Sequence, residues 1–80
     1  MFIRTKDQRL INTDKVDYFE ILPYLNEDKA ELVATIGDKV FSVFIGTTLE
    51  TEVTFNSLAF DIEKGDRALV NFDNYFNKET

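Results

Sequence analysis

Apolar and polar positions alternate along most of this chain, interrupted by short polar runs, three glycines and a single proline. Phe2 to Thr5 and Arg9 to Asn12 are brief apolar runs around Lys6-Asp7-Gln8, a pattern that predicts a tight hairpin with Asp7 supplying the turn. Asn12-Thr13-Asp14 is a second polar turn. Val16 to Leu22 then reads as a strand, with Val16, Tyr18 and Leu22 on one face and Asp17, Phe19 and Ile21 on the other. Apolar groups on both faces predict a strand inside a sheet, and Pro23 ends it because proline cannot donate to a ladder. After the polar loop Asn26-Glu27-Asp28, Lys29 to Ile36 places Ala30, Leu32, Ala34 and Ile36 on one face. Gly37-Asp38 fits a two-residue type II′ turn, with glycine in the first position, and Lys39 to Ile45 returns as the second strand of a hairpin. Its rows, Phe41, Val43 and Ile45 against Val40 and Phe44, are both apolar, so something is expected to cover the second face.

Gly46-Thr47-Thr48 breaks the pattern. Beyond it Leu49, Thr51, Val53 and Phe55 alternate with Glu50, Glu52, Thr54 and Asn56, which predicts a strand with one wet, acidic face. The C-terminal third supports two readings. Gly65, Ala68, Leu69, Phe72, Tyr75 and Phe76 follow helical spacing, with Asp61 as a cap and Glu63 in the first turn. Alternatively, Leu58, Phe60 and Ile62 alternate, Glu63 to Asp66 turns, and Ala68, Val70 and Phe72 return as a hairpin. A helix would also cover the sheet. The expected fold is therefore α+β, an antiparallel meander of about five strands with a C-terminal helix at residues 62–77 packed on one face. A small all-β barrel is the alternative.

Composition narrows the chemistry. Eighty residues, 44% of them apolar, make one small domain spanning 1–80. A domain of this size buries only roughly 60–65% of its unfolded surface, too little for a large enclosed active site. The chain has no cysteine and no histidine, which excludes disulfide scaffolds, thiol chemistry and imidazole as base or metal ligand. Eight Phe and three Tyr make it rich in aromatics for its length. Its net charge of −6 is a poor match to nucleic acid or to an anionic membrane surface. That charge is uneven, because Arg4, Lys6, Arg9 and Lys15 outnumber Asp7 and Asp14 at the N-terminus and the rest of the chain is acidic. No run approaches the roughly 18 apolar residues of a membrane span, and MFIRTKDQRL lacks the apolar core of a secretory signal. The expected location is the cytoplasm.

Searching for reactive constellations returns little. No phosphate-binding glycine loop is present, and Ser42 and Ser57 have no histidine to activate them. Asp61-x-Glu63-x-x-Asp66 is rich in oxygen but lacks the spacing of a calcium loop. Neither a cofactor nor a metal is expected, and a carboxylate-dependent enzyme ranks last among the readings. Two surfaces remain as candidates for contact. Phe72, Tyr75 and Phe76 would form a docking stripe for a partner or a second copy. Glu50, Glu52, Asp61, Glu63, Asp66 and Asp73 would form an acidic face able to imitate nucleic acid toward a basic partner.

The opening stretch MFIRTKDQRLINTDKVDYFEI resembles a group of short uncharacterised proteins of Gram-positive bacteria and their phages or plasmids. These begin M-F-I-R/K-T, make a tight turn and continue through L-I-N into a K-V-x-Y-F/I-E-I strand. The resemblance covers about the first quarter of the chain. It implies a small sheet-plus-helix protein of a mobile element or accessory locus and supplies no catalytic residues. The same stretch is similar to the first hairpin of LytTR-type DNA-binding domains, from which this chain departs by its acidity and by having no basic loops further along. The resulting expectation is a non-enzymatic protein–protein interaction module, self-associating or engaging another protein. An acidic inhibitor that mimics nucleic acid is the alternative.

Overall fold

The computed structural model of the chain describes residues 1–64 and 69–70. The elements run β1 (Phe2–Arg4), β2 (Leu10–Asn12), a 3-10 turn (Thr13–Lys15), β3 (Tyr18–Pro23), β4 (Ala30–Ile36), β5 (Lys39–Gly46), α1 (Thr48–Lys64) and β6 (Leu69–Val70). The fold is α+β. Strands β1 to β5 pair antiparallel but are divided between two sheets, ordered β2-β1-β6 and β3-β4-β5, with β6 parallel to β1. Neither sheet closes into a barrel among the described residues.

The β1–β2 hairpin forms as expected, with Ile3 opposite Ile11. Its turn is organised by Thr5 as well as Asp7. The Thr5 amide donates to the Arg9 carbonyl at 2.7 Å, the Arg9 amide donates back to Thr5 Oγ1 at 3.0 Å, and the Thr5 hydroxyl donates to the Asp7 carboxylate. The β4–β5 hairpin also matches its sequence pattern. Ile36 faces Lys39 across Gly37-Asp38, and Gly37 has φ +61° whereas Asp38 is not in the left-handed region, the arrangement of a type II′ turn.

Three expectations are corrected. First, residues 49–56 are helical, not a strand, and the helix is α1 at Thr48–Lys64 rather than 62–77. Its start is a capping box: Thr47 Oγ1 accepts the Glu50 amide at 3.1 Å while Glu50 Oε1 accepts the Thr47 amide at 2.9 Å. The inward positions of α1 are Thr51, Thr54, Leu58 and Asp61. Their buried hydroxyls are satisfied, Thr51 by the Ala30 carbonyl at 3.1 Å and Thr54 by the Glu50 carbonyl at 2.8 Å. Second, β3 lies at the edge of its sheet, not inside it, because β4 is the central strand. Third, the apolar rows of β5 are not those of simple alternation. The register passes from Leu32 opposite Phe44 to Val33 opposite Ser42, so Val43 is an extra residue in a β-bulge. The bulge brings Phe41, Val43 and Phe44 together on the core side, leaving Val40 and Ile45 for the other face.

The core lies between β3-β4-β5 on one side and α1 with the β1–β2 hairpin on the other. Ile3, Ile11, Leu32, Ala34, Val43 and Leu58 are buried at its centre, with Phe19, Ile21, Phe41, Phe44 and Phe55 packed around them. Each buried isoleucine, leucine or valine among these stabilises the fold by roughly 1.5–3 kcal/mol, Ala34 by less. The opposite face of the larger sheet carries Tyr18, Glu20 and Leu22 on β3, Glu31, Val33 and Thr35 on β4, and Val40, Ser42 and Ile45 on β5. Tyr18, Leu22 and Val40 on that face are exposed.

Candidate functional site

The backbone of β3 is the starting point. In an antiparallel pair only alternate residues exchange hydrogen bonds across the ladder. The Tyr24 amide donates to the Lys29 carbonyl at 2.9 Å, in the same register that sets Tyr18 opposite Thr35. The bonded positions are therefore Tyr18, Glu20 and Leu22, and the two-residue turn after Ile36 requires the same alternation. The amides and carbonyls of Phe19 and Ile21 consequently point away from β4. Among the described residues β3 pairs with β4 alone, so these groups form an open edge.

On the core side this edge borders an apolar hollow of about 250 Å³, lined by Phe19 of β3 and by Phe55, Leu58, Ala59, Ile62 and Glu63 of α1. Helical spacing explains the wall: Phe55, Ala59 and Ile62 follow one another at i, i+4 and i+7 along one side of α1. Ala59 contributes only a methyl group to this wall. Glu63 is exposed and, among the described residues, brings the only charged group to the lining. On the other face of β3 stands the Glu20 carboxylate, between the exposed side chains of Tyr18 and Leu22. Among the described residues neither β3 nor the lining of the hollow contains a lysine or arginine.

The residues singled out from the sequence are distributed differently. Because α1 turns through about 100° per residue, Glu52 and Glu63 project from one side and Glu50 and Asp61 from nearly the opposite side. Glu50 is engaged in the capping box, Asp61 is buried, and only Glu52 and Glu63 are free-standing on the surface in the expected sense. The single acidic face is thus corrected to two separated pairs, since a helix replaces the strand on which they were placed. Ser42 lies on β5 with its hydroxyl buried and without a hydrogen-bond partner among the described residues, and Ser57 lies on α1. Asp66, Phe72, Asp73, Tyr75 and Phe76 lie outside the described residues.

Sequence reasoning missed Phe55, Ala59 and Ile62 as neighbours of Phe19. The signal that would have found them is Thr47-Thr48-Leu49-Glu50, the T-x-x-E pattern of a helix start. Among the described residues no helix is long and apolar enough to cross a membrane. Comparison of the chain with protein-family models, with curated proteins and with solved structures finds no match.

Proposed function

We propose that this chain is a non-enzymatic protein-interaction module that accepts a segment of another polypeptide along the open edge of β3. The observation that carries this reading is the juxtaposition of that edge with the hollow beside Phe19. Edge addition draws affinity from main-chain hydrogen bonds and selectivity from pockets that take alternate side chains, and both parts stand side by side here. A hollow of about 250 Å³ falls below the roughly 300–1,000 Å³ of a typical small-molecule site, and its lining is almost wholly apolar. It suits one bulky side chain better than a free metabolite. Nucleic-acid mimicry draws less support, because mimicry needs carboxylates along one face and α1 sends Glu50 and Asp61 away from Glu52 and Glu63. The absence of cysteine fits action in the cytoplasm.

The test is selection of peptides from a random displayed library on the folded chain, followed by titration of the selected peptides into isotopically labelled protein. Shifts concentrated at residues 19–22 and 55–63, with new protection of the Phe19 and Ile21 amides, are the expected result. Ligands that perturb other surfaces and leave β3 unchanged would overturn the reading.

A further inference from the structure

We infer that the segment accepted by β3 is a basic, extended strand: one bulky apolar side chain fills the hollow beside Phe19, and a lysine or arginine next to it in sequence pairs with Glu20. This rests on the proposed docking of a polypeptide along β3 and names the chemistry of what docks.

The side-chain alternation of a strand fixes the pattern. A strand bonded to the outward amides and carbonyls of Phe19 and Ile21 continues the pleat of the sheet, so its successive side chains fall alternately toward α1 and toward the opposite face. Toward α1 the neighbouring space is the hollow lined by Phe55, Leu58, Ala59 and Ile62. Toward the opposite face the neighbours are Tyr18, Glu20 and Leu22, with Glu31 paired to Leu22 one strand further in. Among the described residues the charges of the site are all of one sign: Glu20 at mid-strand, Glu31 beside it and Glu63 at the rim of the hollow, with no cation on β3 or in the described lining. An acidic segment is repelled there and a basic one attracted, because opposite charges on neighbouring strands stabilise the pair and like charges destabilise it.

The same carboxylate disfavours a second copy. The antiparallel pairing that engages both outward positions sets Phe19 of one chain against Ile21 of the other, and Glu20 then faces Glu20 of the copy. Those two residues form a non-bonded pair with Cα atoms about 4.5 Å apart, a costly place for like charges.

The test uses the full chain and two direction-neutral peptides, acetylated and amidated: Thr-Val-Lys-Phe-Lys-Val-Thr and the same sequence with both lysines replaced by glutamate. Binding is read by chemical-shift titration at low and at physiological salt. The lysine peptide is expected to bind about three- to tenfold tighter than the glutamate peptide at low salt, with an advantage that shrinks as salt screens it. Its shifts should centre on residues 19–22 and 55–63. Glu20→Lys should reverse the preference between the peptides, and Ala59→Leu, which fills the hollow, should weaken both while circular dichroism stays native. Equal affinity of the two peptides at β3 would overturn the charge inference and leave the docking reading standing. No binding of either peptide at β3 up to millimolar concentration would remove both. Doubling of the mass in light scattering, with protection of the Phe19 and Ile21 amides in the absence of peptide, would assign the edge to a second copy and overturn the inference.

Discussion

At the β5 edge of the larger sheet the Ser42 carbonyl accepts the Lys6 amide at 2.8 Å, Val43 bulges out of register, and the N-terminal hairpin packs its Ile3 and Ile11 into the core alongside. At the β3 edge, on the far side of the same central strand, the Asp17 amide donates to the Thr35 carbonyl at 2.8 Å, one residue out of step with the Tyr18–Thr35 pairing, but from Tyr18 onward neither a bulge nor a covering element is present among the described residues. The register runs without interruption from Tyr18 to Pro23, and the outward groups of Phe19 and Ile21 meet no strand partner among the described residues. A bulge twists an edge and interrupts its ladder, which is one of the ways natural sheets block unwanted pairing. The β3 edge carries a different safeguard, the Glu20 carboxylate, with Pro23 at its last position. The two safeguards differ in kind. Geometry blocks every incoming strand, whereas a charge blocks only strands of its own sign, so β3 is a selective edge and β5 a closed one.

The largest effect expected from this comparison comes from undoing the closed edge. Ile3 is fully buried and ties the hairpin to the core beside Val43. Ile3→Ala should destabilise the fold by about 2–5 kcal/mol in denaturant unfolding. Leu22→Ala on the selective edge, where the side chain is 40% exposed, should stay within about 0.5 kcal/mol of the parent. Equal losses at both sites would mean that the edges do not differ in what they bury. Next comes amide exchange, which reads the edge itself. Along β3 the Phe19 and Ile21 amides should exchange at least about tenfold faster than those of Glu20 and Leu22, because only the latter pair bonds to β4. Uniform protection over the four residues would mean that the outer edge is already covered.

How much of this was legible beforehand depends on whether local pattern and tertiary environment agreed. In β4 and β5 they agreed: alternation, a Gly-Asp turn and two strands of matching length point to one structure. In α1 they conflicted. Its inward positions include Thr51, Thr54 and Asp61, while Leu49, Val53 and Phe60 are exposed on its outer side, so the apolar pattern does not trace the buried face. Leu49, Thr51, Val53 and Phe55 then alternate like a strand although three of the four face solvent or half-face it. The bulge was hidden for a simpler reason, since one extra residue leaves no mark in an apolar run such as Val40 to Ile45. The candidate site inherits both failures. Glu63 and Phe19 stand out individually in the sequence, but their proximity follows only from a helix that begins at Thr48.

The capping box offers a smaller perturbation, placed at the start of the helix whose later turns wall the hollow. Thr47→Ala removes the oxygen that accepts the Glu50 amide and should cost about 1 kcal/mol. Because that loss is confined to the first turn of the helix, peptide affinity at the other end, around Ala59 and Ile62, should be unchanged once the protein is folded. A loss of peptide affinity parallel to the loss of stability would indicate that the hollow is shaped by the helix start.

The smallest effect is expected at the closed edge and has the opposite sign. Ser42 meets the Lys6 amide through its backbone carbonyl, while its hydroxyl is buried with no partner among the described residues. A buried hydroxyl left unbonded carries a desolvation cost of about 1–3 kcal/mol, which alanine does not incur. The lost packing of one oxygen offsets part of that gain. Ser42→Ala should therefore leave the fold as stable as the parent or more stable by up to about 1 kcal/mol, since the bond closing this edge belongs to the main chain and survives the change. A clear destabilisation would show that the hydroxyl itself holds the bulge in place, and closure at β5 would then depend on a side chain, as selectivity at β3 depends on Glu20.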